Sequence, residues 1–297
     1  MRKRTKFFIG IGVFCLIITL IIGVFLYLLL HRSKGDYFNS DGQQLFYTVD
    51  GSGSPVILVH GIAANADINW RRPGVIRKLS KDFQVISFDL RGHGLSDKPK
   101  SPDEYGIKMV DDIIRLMDHL NLEKAHLAGY SLGGFISLKA VTRYPDRFLS
   151  VAICAAGWKD PDDPTPIPNP YRPSEPLSDN LILKSSVGIS LLSPQKLFHN
   201  IRNHVGDWII DPAAKSAIKT SYNEFVVLKS DVESNTVPLF CVVGTQDGFL
   251  NLSRDLLAVA KDAEGMEVDG ASHFTLPFSK KFKEALHDFF LKKTPVL

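Results

Sequence analysis

The chain has 297 residues, 44% of them hydrophobic and 23% charged, an ordinary globular composition that excludes a largely disordered protein. The net charge of +3 belongs to one end. Taking Arg2, Lys3, Arg4 and Lys6 from the 35 lysines and arginines leaves 31 against 32 acidic residues, a near-neutral body that excludes the broad basic field needed for nucleic-acid binding.

Residues 7–30 read FFIGIGVFCLIITLIIGVFLYLLL, without a charge. As a helix at about 1.5 Å per residue they reach about 36 Å, beyond the roughly 30 Å of a bilayer's hydrocarbon core. The run exceeds the ~7–15 apolar residues of a cleaved signal peptide. It ends in Leu28-Leu29-Leu30-His31-Arg32, a poor cleavage site, and Cys15 follows Phe14 rather than a small residue. Residues 1–35 are therefore expected to form a cytoplasmic tail and an uncleaved transmembrane anchor. Four cations precede the run, against Arg32 and Lys34 after it, which places the N-terminus in the cytoplasm and the body on the extracytoplasmic side.

The body opens on a hairpin signal, Ser40-Asp41-Gly42 between Tyr37-Phe38 and Leu45-Phe46-Tyr47-Thr48-Val49. Val56-Ile57-Leu58-Val59 is wholly apolar, as suits a strand covered on both faces, and ends at His60-Gly61. Further strands are expected at 83–88, 125–128, 149–154 and 239–243, and a shorter one around 266–268. Between them, Ile107, Val110, Ile113, Ile114, Met117 and Leu120 recur at intervals of three and four, the spacing of an amphipathic helix. Residues 133–144, 251–262 and 279–292 read as helices too. Strands alternating with helices predict a mainly parallel α/β sheet.

One stretch breaks the alternation. Residues 157–170 hold five prolines, and the pattern from there to 236 is loosely helical without a clear strand. About 80 residues is too long for a structureless loop, so 157–236 is expected to be an inserted helical cap, a lid on a core made of 36–156 and 237–297. Cys154 and Cys241 lie in apolar runs and read as buried free thiols, with a single bridge between them left open.

Gly129-Tyr130-Ser131-Leu132-Gly133 follows the strand at 125–128 and precedes the helix at 133–144. A strand-to-helix turn there lifts the Ser131 hydroxyl above the sheet. A serine hydroxyl needs a base, and the base an orienting acid. His273, in Gly270-Ala271-Ser272-His273-Phe274, and Asp247, in Gly244-Thr245-Gln246-Asp247-Gly248, both follow strand ends, where an open α/β sheet gathers its chemistry. Asp160, after the strand at 149–154, is the rival for the acid. His60 and His93 lie in glycine-bearing loops and read as structural; His119 and His126, near helix and strand ends, have no acid in a comparable setting. The oxyanion requires backbone donors. The N–H of Leu132 is one candidate; that of Ile62, after Gly61, is the other, with Ala63 next. No metal-ligand spacing or nucleotide loop occurs, so no metal and no cofactor is expected.

Together with Asp89-Leu90-Arg91-Gly92-His93-Gly94-Leu95-Ser96-Asp97, these motifs in this order resemble the α/β-hydrolase superfamily over nearly all of 36–293. The resemblance implies a mostly parallel eight-stranded sheet with helices on both faces and a cap after the sixth strand. A serine at 131 argues against the aspartate-nucleophile members, haloalkane dehalogenases and epoxide hydrolases. Ester hydrolysis on a small-molecule acyl substrate, lipids included, is favoured because an apolar insertion, running from Ile182 to Phe198, accompanies a membrane anchor. Thioester, peptide or carbon–carbon bond hydrolysis, and non-catalytic ligand binding on the same fold, stay open.

Overall fold

The computed structural model describes residues 13–14, 16–20, 23, 32–171 and 210–295. The chain divides into two compact units, Met1–Lys34 and Gly35–Leu297. Of the expected span at 7–30, residues 13, 14, 16–20 and 23 are helical and the remainder lies outside the described residues. Among the described residues no helix is long and apolar enough to cross a membrane.

The second unit is built on eight strands: β1 (Asp36–Ser40), β2 (Gln43–Asp50), β3 (Ser54–Val59), β4 (Phe83–Phe88), β5 (Ala125–Tyr130), β6 (Phe148–Cys154), β7 (Leu239–Gly244) and β8 (Ala263–Val268). Asp41 and Gly42, at φ 54° and 83°, close the first hairpin; two consecutive positive φ angles match the right-handed twist of the strands they join. The sheet order is β1-β2-β4-β3-β5-β6-β7-β8. β2 is antiparallel to β1 and β4, and every other pairing is parallel. The chain leaves β3 for β4 on one side and returns past it to β5 on the other, so the strand order reverses at β3. Ligand crevices in open α/β sheets form at the carboxyl ends of strands flanking such a reversal.

Alternation along β3 shows how the core is divided. Ile57 and Val59 join one buried cluster, with Leu127, Ile153 and Cys241. Val56 and Leu58 join the other, with Ala128, Cys154 and Val242. A strand covered on both faces must be apolar at every position. Helices α1 (Val75–Leu79) and α7 (Lys280–Lys293) supply Ile76, Phe282 and Phe290 to the second cluster. Helices α2 (Ile107–His119), α3 (Leu132–Arg143) and α6 (Leu250–Val259) supply Ile113, Ile136 and Leu256 to the first.

Residues 172–209 of the expected cap, the apolar stretch from 182 to 198 among them, lie outside the described residues. The ends of that insertion are built into the core. Asp211 caps α4 (Pro212–Thr220) by accepting from the N–H groups of Ala213 and Ala214. Ala214, Ile218, and Val232 of α5 (Lys229–Ser234), belong to the first cluster. The Trp158 indole N–H donates to Val227 O at 2.8 Å, and Glu224 accepts the Ile107 N–H at the start of α2 at 2.9 Å. Cys154 and Cys241 sit on adjacent strands as free, buried thiols. Burial pushes Cys241 up to about 12 and Cys154 well above its usual range, so both stay protonated and inert.

Candidate active site

β5 ends at Tyr130 and α3 begins at Leu132, leaving Ser131 alone in the turn at φ 54°, ψ −117°. Its N–H donates to Cys154 O at 2.9 Å, tying the turn to β6. The turn closes only because two positions carry no side chain. A Cβ at 129 would lie 2.0 Å from Gly133 O, and one at 133 would lie 2.2 Å from Val59 O.

From that turn a hydrogen-bonded line runs inward. His273 Nε2 lies 3.0 Å from Ser131 Oγ, and His273 Nδ1 lies 2.8 Å from Asp247 Oδ2. Asp247 is fully buried, and its second oxygen accepts the Phe249 N–H at 2.9 Å. With Asp247 ionised, Nδ1 carries the imidazole proton and Nε2 is left to accept from the hydroxyl. The Tyr130 hydroxyl donates to the His273 carbonyl at 2.7 Å. Burial, and then the Asp247 charge, hold the Tyr130 phenol well above its usual range, so it remains a donor. The rings of Phe249 and Tyr171 stand edge-on to the imidazole, 5.5 and 5.2 Å away between centroids. Tyr171 is placed there by Pro170, whose carbonyl accepts the Gly248 N–H beside Asp247.

The structure brings Ser131, His273 and Asp247 together and leaves the rival acid apart. Asp160 accepts the Asp162 N–H in an exposed loop. The other histidines considered serve elsewhere. His93 donates to Arg91 O and is pushed down to about 3 by burial and by the neighbouring His60. His119 meets the Tyr47 hydroxyl, and His126 meets Ser150 and Thr294.

The two backbone donors expected for an oxyanion sit beside the serine. Leu132 opens α3, where a helix N-terminus carries partial positive charge. A Cβ on Gly61 would come within 3.1 Å of Ser131 Cβ, so the chain entering Ile62 passes against the Ser131 turn. Among the described residues no backbone carbonyl accepts the N–H of Leu132 or of Ile62. His60 and Asn69 set this loop. The Gly61 N–H donates to Asn69 Oδ1 at 2.9 Å, and His60 Nδ1 lies 2.8 Å from Gly61 O. Asn69 was invisible in the sequence, since it lies in a short helical turn, Asp67–Arg71, eight residues on and carries no motif. Tyr130 occupies the variable second position of the serine motif, which signals nothing. Among the described residues no cluster of groups suited to hold a metal ion is present.

Residues 54–181 match the family model of the α/β-hydrolase fold. The chain is 36% identical over 106 residues to the dihydrolipoyllysine-residue acetyltransferase component of an acetoin cleaving system from Pseudomonas putida; the match takes in 35% of this chain and only 27% of that protein. Among solved structures, a meta-cleavage product hydrolase from Pseudomonas fluorescens superposes with a TM-score of 0.67 at 22% identity, over 88% of this chain and 98% of that one. A bacterial membrane phospholipase A superposes with a TM-score of 0.66 at 19% identity, over 97% of this chain and 99% of that one. The family match over 54–181, the sheet order and these superpositions show that the chain has the α/β-hydrolase fold.

Proposed function

We propose that this protein is a membrane-anchored serine hydrolase that cleaves carboxylic esters through an acyl-enzyme. The observation that carries the reading is the line from Ser131 Oγ through His273 to Asp247, at 3.0 and 2.8 Å. In this reading Ser131 Oγ attacks the ester carbonyl carbon while His273 Nε2 takes the hydroxyl proton. The carbonyl oxygen, now negative, receives the N–H groups of Leu132 and Ile62. Collapse of the tetrahedral species breaks the bond to the alcohol oxygen, which leaves with the proton from His273. A water, deprotonated by His273, then releases the acid and restores Ser131. Asp247 holds the imidazole tautomer throughout. No cofactor or metal enters these steps.

The choice of esters and of a membrane setting rests on the uncharged run at 7–30. It is also supported by the superposition on the membrane phospholipase A, which extends over 97% of the chain where the meta-cleavage product hydrolase covers 88%. The body then lies on the extracytoplasmic side, with residues 1–6 in the cytoplasm; protease protection of the body in intact cells would reverse that orientation.

A fluorophosphonate probe tests the nucleophile. Labelling of the wild-type chain, absent from Ser131→Ala, is expected, and an unlabelled folded wild type would sink the serine-hydrolase reading. An acyl-chain-length series of activated esters then tests the substrate. Labelling without ester turnover would move the reading to carbon–carbon, thioester or peptide bonds.

A further inference from the structure

Six cations gather on one flank of the body. Arg77 and Lys78 lie on α1 and Lys81 just after it; Lys280, Lys281 and Lys283 lie in the first turn of α7. All but Lys281 line an open cleft of about 350 Å³, in which Glu284 is the lone acid. Among the described residues, Glu284 pairs with Lys280 at 3.6 Å, and no carboxylate pairs with Arg77, Lys78, Lys81, Lys281 or Lys283. This concentration stands out in a body whose charges nearly cancel overall. It is also held in place. Lys283 Nζ donates to Pro73 O at 2.9 Å and to Phe278 O at 3.1 Å, joining the entry to α1 to the turn that precedes α7.

That turn carries the second half of the observation. Phe278 is 61% exposed, and Phe274, next to His273, is 44% exposed. The chain thus runs from the imidazole through Phe274, half-exposed and stacked on Tyr171, and the exposed Phe278 into the lysines of α7. Like charges without acidic partners repel one another and gain from a polyanionic surface. Aromatic rings beside them suit a headgroup layer, where an apolar ring and a wet, charged boundary meet.

We propose that this flank is the surface on which the body rests on anionic lipid headgroups of a bilayer, the six cations facing phosphate and Phe278 entering the headgroup layer. Docked so, the loop carrying His273 lies near the lipid. The contact stands whether or not Ser131 turns over esters, because the test below involves no turnover.

The full chain is reconstituted into phosphatidylcholine vesicles and into vesicles that also contain phosphatidylglycerol, and amide exchange is followed at 74–81 and 278–284. The comparison between lipids carries the test, so attachment through 7–30 does not confound it. Exchange at both segments is expected to slow by roughly threefold or more in the anionic vesicles, and to return to the phosphatidylcholine rate when Arg77→Glu, Lys81→Glu and Lys280→Glu are combined. Equal exchange in the two lipids overturns the proposal, and so does the same slowing produced by millimolar inorganic phosphate without vesicles. A second readout leaves the cations intact. Phe278→Trp is expected to shift its emission to the blue in anionic vesicles only; identical emission in both lipids overturns the proposal.

Discussion

His60 Nδ1 lies 2.8 Å from Gly61 O, and His60 Nε2 accepts the Leu90 N–H at 2.9 Å. The second bond fixes the tautomer, so Nδ1 donates to the carbonyl. Gly61 C=O and Ile62 N–H belong to one planar peptide group and point in opposite directions. Holding the carbonyl therefore aims the N–H that the proposed mechanism uses for the oxyanion.

His60→Gln loosens that peptide without removing the donor. Loss of an oxyanion donor costs about 10²–10³ in kcat, so misalignment is expected to cost roughly ten- to a hundredfold. KM should change little, because the donor acts mainly in the transition state. Fluorophosphonate labelling of Ser131 should slow in parallel, since the phosphonyl oxygen would use the same donors. Unchanged kcat with a folded variant would reduce His60 to a packing residue.

Asp247 is expected to act through the imidazole alone. Its Oδ2 accepts the hydrogen bond from His273 Nδ1–H, while its Oδ1 accepts the Phe249 N–H at the entry to α6. Asp247→Asn keeps the shape but can present an N–H to Nδ1, favouring the wrong tautomer. A fall of about 10⁴-fold in kcat is expected, with the thermal midpoint nearly unchanged. A loss below tenfold, measured on the same activated ester, would show that His273 does not depend on this carboxylate.

These roles were unevenly legible in the sequence. Ser131, Asp247 and His273 each sit in a glycine-bearing stretch just past a strand, and the local pattern exposes them. The strands at 83–88 and 149–154 read cleanly because apolar residues predominate, with Gln84, Ser87 and Ser150 the exceptions. β8 read as only its last residues, since Ala263-Glu264-Gly265 has little strand propensity and is ordered by pairing with β7. Asn69, His60 and Tyr130 act through bonds to backbone groups that only the folded chain brings near. The last of these spans 143 residues. The packing of 210–236 onto α2 and α3 was equally hidden, because Glu224 and Trp158 find their partners across the fold and leave no periodic trace.

His126 gives the body an acid sensitivity. It is buried between Ser150 and Thr294, and burial pushes it down to about 4. The unfolded chain, with its histidine near 6.5, binds the proton more readily. This contribution is therefore full above about pH 6.5 and is lost as pH falls toward 4. Across that window it amounts to about 3 kcal/mol, of which about 2 kcal/mol has gone by pH 5. His126→Gln keeps a partner for the hydroxyls and removes the titration. Its thermal midpoint is expected to fall less than the wild type's between pH 7 and pH 5, by roughly 4–8 °C. His93, pushed down to about 3, keeps its own share, so some slope remains. Parallel pH profiles for the two proteins would refute the assignment.

Ser131 itself stores strain. At φ 54°, ψ −117° an L-residue lies outside the favoured regions, and such conformations cost about 1–3 kcal/mol where surrounding structure imposes them. Here the imposing contacts are the Ser131 N–H bond to Cys154 O and the tight packing of Gly133 on Val59. Ser131→Ala and Ser131→Gly both lose the hydroxyl and its bond to His273, so they differ only in backbone freedom. In regular structure glycine is the less stable of the two by roughly 0.5–1 kcal/mol. At this position the order is expected to reverse, with Ser131→Gly more stable than Ser131→Ala by about 1–2 kcal/mol in denaturant unfolding. Neither variant should react with the fluorophosphonate. The sign of the difference decides the matter: an alanine variant as stable as the glycine variant would mean that the turn holds its serine without strain.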